Sequence, residues 1–182
     1  MKIGILHVGR LEKLVLERVR ENLSMVFSGA KCMTLPEIVA LPREAFDAAR
    51  GQYRSDMILG LVRSYAEKTR GLTKVLGVVD VDIFVPGLNF VFGEADCPGR
   101  AAIISLWRLR PEFYGKPQNF ELFVERATKE AVHELGHTFG LGHCVNPFCV
   151  MYFSNSIFDT DRKKSLFCNM CQVELPKFSR GD

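Results

Sequence analysis

Residues 133–143 read His133-Glu134-Leu135-Gly136-His137-Thr138-Phe139-Gly140-Leu141-Gly142-His143. His133 and His137 are four apart, so on a helix both imidazoles leave one face and can bind one metal ion. Glu134 lies beside the first of them, turned away from the metal but within reach of a water bound to it. Gly140 allows a positive φ, which lets the helix end and the chain swing back so that His143 arrives as a third ligand. Three protein ligands leave one position open, the arrangement of a catalytic rather than a structural zinc site. Three of the chain's four histidines fall in these eleven residues. The alternative reading, two histidines that merely share a helix face, leaves the glycine and the third histidine unexplained.

The motif expects a zinc-dependent peptidase in which Glu134 is the general acid/base and zinc polarises the scissile carbonyl. A zinc-stabilised peptide-binding module with little or no hydrolytic activity is the alternative, and it would not need Glu134. Val150-Met151-Tyr152 follows. A methionine in a tight turn floors the zinc site in metzincins, and Met151 is the candidate. A core methionine filling a gap is the other reading.

Cys144, directly after the third histidine, opens the spacing C-x4-C, then C-x2-C, with Cys149, Cys168 and Cys171. Four thiolates at such spacing suit a closed structural zinc site. Two disulfides or free buried thiols are the alternatives. Cys32 is expected in the core and Cys97 in an exposed loop. His7, at the end of a strand, reads as a core or edge histidine.

Upstream, strand and helix patterns alternate. Strands are expected over Lys2 to Val8, Lys31 to Leu35, Lys74 to Phe84, Leu88 to Phe92 and Ala101 to Leu106. Helices are expected over Leu11 to Phe27, Asp56 to Thr69 and Gln118 to Leu141. Asp56 and Gly71 are candidate caps of the second helix. A final helix is expected from Asp161 to Val173, with Asp159, Thr160 and Asp161 offering cap oxygens. Interleaved strands and helices imply an α/β (α+β) fold with a largely parallel sheet.

With 182 residues, a single domain is expected over 1–182. Its sheet and helix part would be 1–141, ending in the active-site helix, and its small irregular C-terminal subdomain 142–182. A net charge of +3 is too small to argue for nucleic acid. No apolar run is long enough to span a membrane. The apolar start is too short for a signal-peptide core, so a cytoplasmic location is expected, where thiols stay reduced and favour metal over disulfides. A monomer acting on peptides or unfolded protein segments is the expected form.

The run H-E-L-G-H-T-F-G-L-G-H-C, then C-V-M, F-S-N-S, D-T-D and F-C-x-x-C, resembles the archaemetzincin family of metzincin peptidases, most densely over 133–171. The resemblance implies a metzincin-like zincin fold: a twisted, mostly parallel sheet with one antiparallel edge strand, backed by helices. It implies two zinc ions per chain, one at His133, His137 and His143 and one at Cys144, Cys149, Cys168 and Cys171, with Glu134 as general base. It also places the cleft's edge strand within Leu88 to Cys97, where an extended peptide could add by strand pairing. Endo- and aminopeptidase action both fit the motif. Asp80, Asp82, Glu94 and Asp96 are candidates for an acidic pair that would favour aminopeptidase action.

Overall fold

A computed structural model describes residues 1–175. Its main sheet holds β1 (Lys2–Val8), β2 (Lys31–Val39), β5 (Lys74–Val79), β7 (Gly93–Ala95) and β8 (Ala101–Ser105). The order is β2-β1-β5-β8-β7. The first four of these neighbours are parallel, and β7 runs antiparallel to β8 at the edge. Three short strands, β3 (Phe46–Asp47), β4 (Gln52–Arg54) and β6 (Ile83–Phe84), form a second small sheet.

The continuous apolar runs of β1, β5 and β8 follow from burial on both faces. Ile3, Ile5, Leu76, Val78, Ala102 and Ile104 pack with α1 (Lys13–Val26) and α3 (Phe120–Thr138). Leu6, Val8, Val75, Val79, Ala101 and Ile103, at the alternate positions, pack on the other face with α2 (Ser55–Lys68). Pro36 sits in β2, a sheet edge, where a missing N–H is tolerated.

Several expectations are corrected. Leu88 to Phe92 is not a strand; the edge strand is the three residues Gly93–Ala95, still within the expected segment. The run Lys74 to Phe84 breaks at Asp80–Asp82, whose carboxylates turn out of the sheet to Arg110 and Arg108. Asp56 lies in the first turn of α2 rather than capping it, and Gly71 takes a positive φ of 84° two residues beyond the cap Thr69. The single last helix is two, α4 (Ile157–Arg162) and α5 (Asn169–Glu174). Asp159 sits in the first turn of α4, where its Oδ2 accepts from the Ser156 N–H at 3.1 Å and hydroxyl at 2.9 Å. The chain must then break, because Lys163 turns in to a buried carboxylate and Cys168 turns in to the other thiols. Of the expected last subdomain, 176–182 lie outside the described residues.

The helix α3 positions everything that follows. Asn119 caps it by accepting from Leu122 N–H at 3.0 Å. Its charged residues Arg126, Lys129 and Glu130 are buried, and each bonds into the segment 160–163. The C-terminal segment is therefore fastened to the helix by ion pairs as well as by its apolar residues.

Candidate metal centre and cleft

His133 and His137 leave the last two turns of α3, and the helix ends as the glycine predicts. Gly140, at φ 92°, donates to His137 O, and Leu141 N–H reaches back to Gly136 O. This left-handed cap returns the chain so that His143 faces the other two histidines. Their ligand nitrogens all lie within 4.8 Å of one another.

Backbone carbonyls orient two of the rings. His133 Nδ1 lies 2.8 Å from Val150 O and His137 Nδ1 lies 2.8 Å from Leu141 O. A carbonyl only accepts, so each Nδ1 carries the proton and each Nε2 presents a lone pair. Those two Nε2 atoms are 3.1 Å apart. Two lone pairs repel at that separation unless a cation lies between them, so the donor set fits a metal ion. Burial is the main cause holding all three imidazoles below their ordinary pKa, His133 furthest, with the Lys163 charge adding to it. The rings are thus neutral, as metal ligands must be.

Glu134 is buried beside Gly93 of the edge strand, where a side chain would collide with it. Burial and the neighbouring Glu130 carboxylate push its pKa well above the usual carboxylate range, and Lys163 opposes them. Met151 is fully buried under Gly136, between the two histidine turns, with its backbone oxygen accepting from Cys144 N–H at 2.9 Å. The tight turn expected there is present, closed by Tyr152 N–H to Cys149 O at 3.0 Å.

The four thiols form a second donor set, all within 4.8 Å of one another. Cys144 and Cys168 Sγ stand 3.8 Å apart, and Cys149 and Cys171 Sγ 3.7 Å. Zn–S bonds of about 2.3 Å make a tetrahedron with edges of about 3.8 Å. All six cysteines are free thiols, so the disulfide reading does not hold. Hydrogen bonds, chiefly from the backbone at Cys171, draw Cys168 down to about 7, while burial pushes Cys149 and Cys171 up.

A cavity of about 560 Å³ opens over the three histidines and Glu134, walled by β7, Val85, Leu88–Phe92 and Phe153–Asn155. Phe92 O and Asp96 N–H bond to β8, at 2.8 and 3.0 Å. By the antiparallel alternation, Gly93 and Ala95 turn their N–H and C=O groups outward, away from β8. Of the four candidate acids, Asp80, Asp82 and Asp96 are paired with Arg110, Arg108 and Arg63. Of these four only Glu94 lines the cavity, so they supply no acidic pair among themselves; the other carboxylates there are Glu130 and Glu134 of α3.

A sequence model of peptidase family M54 matches residues 2–177. The chain belongs to peptidase family M54. Among M54 relatives, the archaemetzincin of Methanocaldococcus jannaschii is 45% identical over 175 residues, covering 96% of this chain and 93% of its own. That of Pyrococcus horikoshii is 52% identical over 133 residues, 73% of this chain and 70% of its own. The crystal structure of an Archaeoglobus fulgidus archaemetzincin complexed with malonate matches with TM-score 0.81 at 38% identity, over 96% of this chain and all of the other. A zinc-dependent peptidase from Methanocorpusculum labreanum matches with TM-score 0.86 at 32% identity, over the same shares. This M54 chain is thus a metallopeptidase with the archaemetzincin fold, and zinc is the metal that the family and the donor sets support.

Sequence reasoning brought together the three histidines, Glu134, Met151 and the four cysteines. It missed Gly93, Glu130 and Lys163. Glu130 had a signal, since it precedes Glu134 by one turn on the same helix face. The carbonyls of Leu141 and Val150 had none, because every residue carries one.

Proposed function

We propose that this chain hydrolyses peptide bonds at a zinc ion held by His133, His137 and His143, with Glu134 as general acid/base. The observation that carries the reading is the convergence of two Nε2 lone pairs at 3.1 Å, each ring fixed by a backbone carbonyl. A buried carboxylate on the same helix completes it. Zinc bound there supplies Lewis acidity, which polarises a carbonyl and makes water acidic near neutral pH. Glu134 takes the proton of the attacking water and passes it to the leaving amine nitrogen. The outward N–H and C=O groups of Gly93 and Ala95 pair with an extended peptide, which lays its scissile bond across the cavity. Met151 floors the histidines.

A second zinc, at Cys144, Cys149, Cys168 and Cys171, is structural: four thiolates close its coordination and leave no position for substrate. Thiolates kept reduced for metal fit a cytoplasmic location. The substrate is a peptide or an unfolded segment, since strand pairing needs an extended chain.

The test compares zinc-loaded wild type with zinc-loaded Glu134→Ala on a diverse peptide library, with cuts read by mass spectrometry. Cleavage that vanishes in the variant supports the reading, and the cut positions separate endo- from aminopeptidase action. No cleavage by either form, with zinc confirmed in both, would favour the peptide-binding module instead.

A further inference from the structure

The cavity over the histidines has a second polar wall. Glu130 stands one turn before Glu134 on α3, is 3% exposed, and lines the cavity with Ser154 and Asn155. Its Oε1 accepts from Thr160 Oγ1 at 3.0 Å and faces Lys163 Nζ at 3.0 Å, while Oε2 takes no hydrogen bond from the described residues. Lys163 is fully buried, and its Nζ has no well-directed hydrogen bond among the described residues despite the ion pair. The Ser154 hydroxyl is likewise buried and without a partner among them. Buried polar groups are normally satisfied, so unused capacity on the wall of a cavity points to a ligand.

We propose that Glu130 and Ser154, backed by Lys163, form a specificity subsite for an uncharged hydrogen-bonding side chain, a carboxamide or a hydroxyl, on the residue beside the scissile bond. The proposal rests on the peptidase reading above. The charge balance sets the preference. Lys163 neutralises Glu130, so the wall offers polarity without net charge. A substrate anion would be desolvated against Glu130, with Glu94 and Glu134 lining the same cavity, and a cation at this wall would have to approach Lys163, which already holds Glu130. An apolar side chain would expel water and leave Glu130 Oε2 and Ser154 Oγ unpaired. A donor such as Gln or Ser gives its hydrogen to the carboxylate oxygen and exchanges another bond with the serine.

The test uses the zinc-loaded full chain and peptides identical except at one position at a time, bearing Gln, Asn, Ser, Met, Leu, Lys or Glu. Cleavage is followed as kcat/KM by mass spectrometry. Binding of the same peptides to zinc-loaded Glu134→Ala is followed by calorimetry. At one position flanking the cut, Gln is expected to exceed Met, its near isostere, by about tenfold or more in both measurements. Ser154→Ala, and separately the paired change Glu130→Gln with Lys163→Met, each made also in the Glu134→Ala background, should bring that ratio close to one. Ser154→Ala keeps the test independent of whether the paired variant folds. Equal or reversed ratios in the wild type, or a ratio that survives in both variants, overturn the subsite. A Gln preference kept in binding while no peptide is cut would remove hydrolysis and leave the subsite standing.

Discussion

Glu134 occupies the space that a side chain at Gly93 would fill: a Cβ there would stand 2.6 Å from Glu134 Cγ and 2.7 Å from its Oε1. The general base candidate and the peptide-pairing edge strand are therefore in direct contact. The same Cβ would stand 2.6 Å from Ile103 O of the paired strand, a backbone atom that cannot yield as a side chain can. Gly93→Ala should thus push the carboxylate off its position, and misplacements of about 1 Å cost on the order of 100-fold in rate. We expect kcat to fall by roughly 10–100-fold while zinc content stays at the wild-type level. Wild-type kcat in a folded, zinc-loaded Gly93→Ala protein would show that the contact does not position Glu134.

Gly136 offers a second test of close approach. An exposed helix glycine replaced by alanine gains about 1 kcal/mol. Here the new methyl group would run into Met151 Sδ and approach Phe167 Cε1 to 3.2 Å. Gly136→Ala should therefore destabilise the protein by about 1–3 kcal/mol in denaturant unfolding. Adding Met151→Ala should recover part of the loss attributable to the clash. A single variant more stable than wild type would refute the idea that Met151 packs tightly beneath the helix.

The two donor sets share a backbone. Cys144 follows His143, its N–H bonds to Met151 O at 2.9 Å, and Val150, next to Cys149, orients His133 through its carbonyl. Cys168→Ala should thus lower the thermal midpoint and also weaken zinc at the histidines by about tenfold or more, the scale seen when groups that orient ligands are lost. Competition with a chelator reads this directly. Unchanged affinity at the histidine site would sink the coupling.

Zinc uptake by the metal-free protein should depend on pH through the thiols. The imidazoles are held below their ordinary pKa and are already neutral at pH 7, so they release few protons. Burial holds Cys149 and Cys171 above the ordinary thiol range, so both are protonated at pH 7 and must lose their protons to bind. Cys168, at about 7, contributes a partial proton. Affinity at the cysteine site should then rise with pH by about tenfold per unit for each protonated thiol, and stability derived from that metal should fall as pH falls. Competition titrations between pH 6 and 8 that showed no pH dependence at this site would contradict it.

Much of the site was legible because its chemistry is local. His133, Glu134 and His137 are set by helical spacing, Gly140 by its freedom at positive φ, and Cys168 and Cys171 by a two-residue gap. The parallel strands were legible in the apolar runs of β1, β5 and β8. The edge strand was displaced toward the C-terminus, since Leu88 to Phe92 has strand-like residues and yet forms cavity wall. The last helix was misjudged for the same kind of reason. Its periodicity continues through Lys163 and Cys168, but a buried carboxylate and a set of thiols claim those two side chains.

The residue order alone determined the candidate ligands and the helix that presents two of them, because those depend on neighbours a few positions apart. Only the tertiary structure decided which nitrogen of each ring points inward, through the carbonyls of Val150 and Leu141, and that Glu130 meets Lys163 thirty-three positions on. It alone put Gly93 against Glu134. These relations join segments far apart in sequence, and their specificity lies in packing and in backbone groups that every residue shares, so no local pattern could carry them.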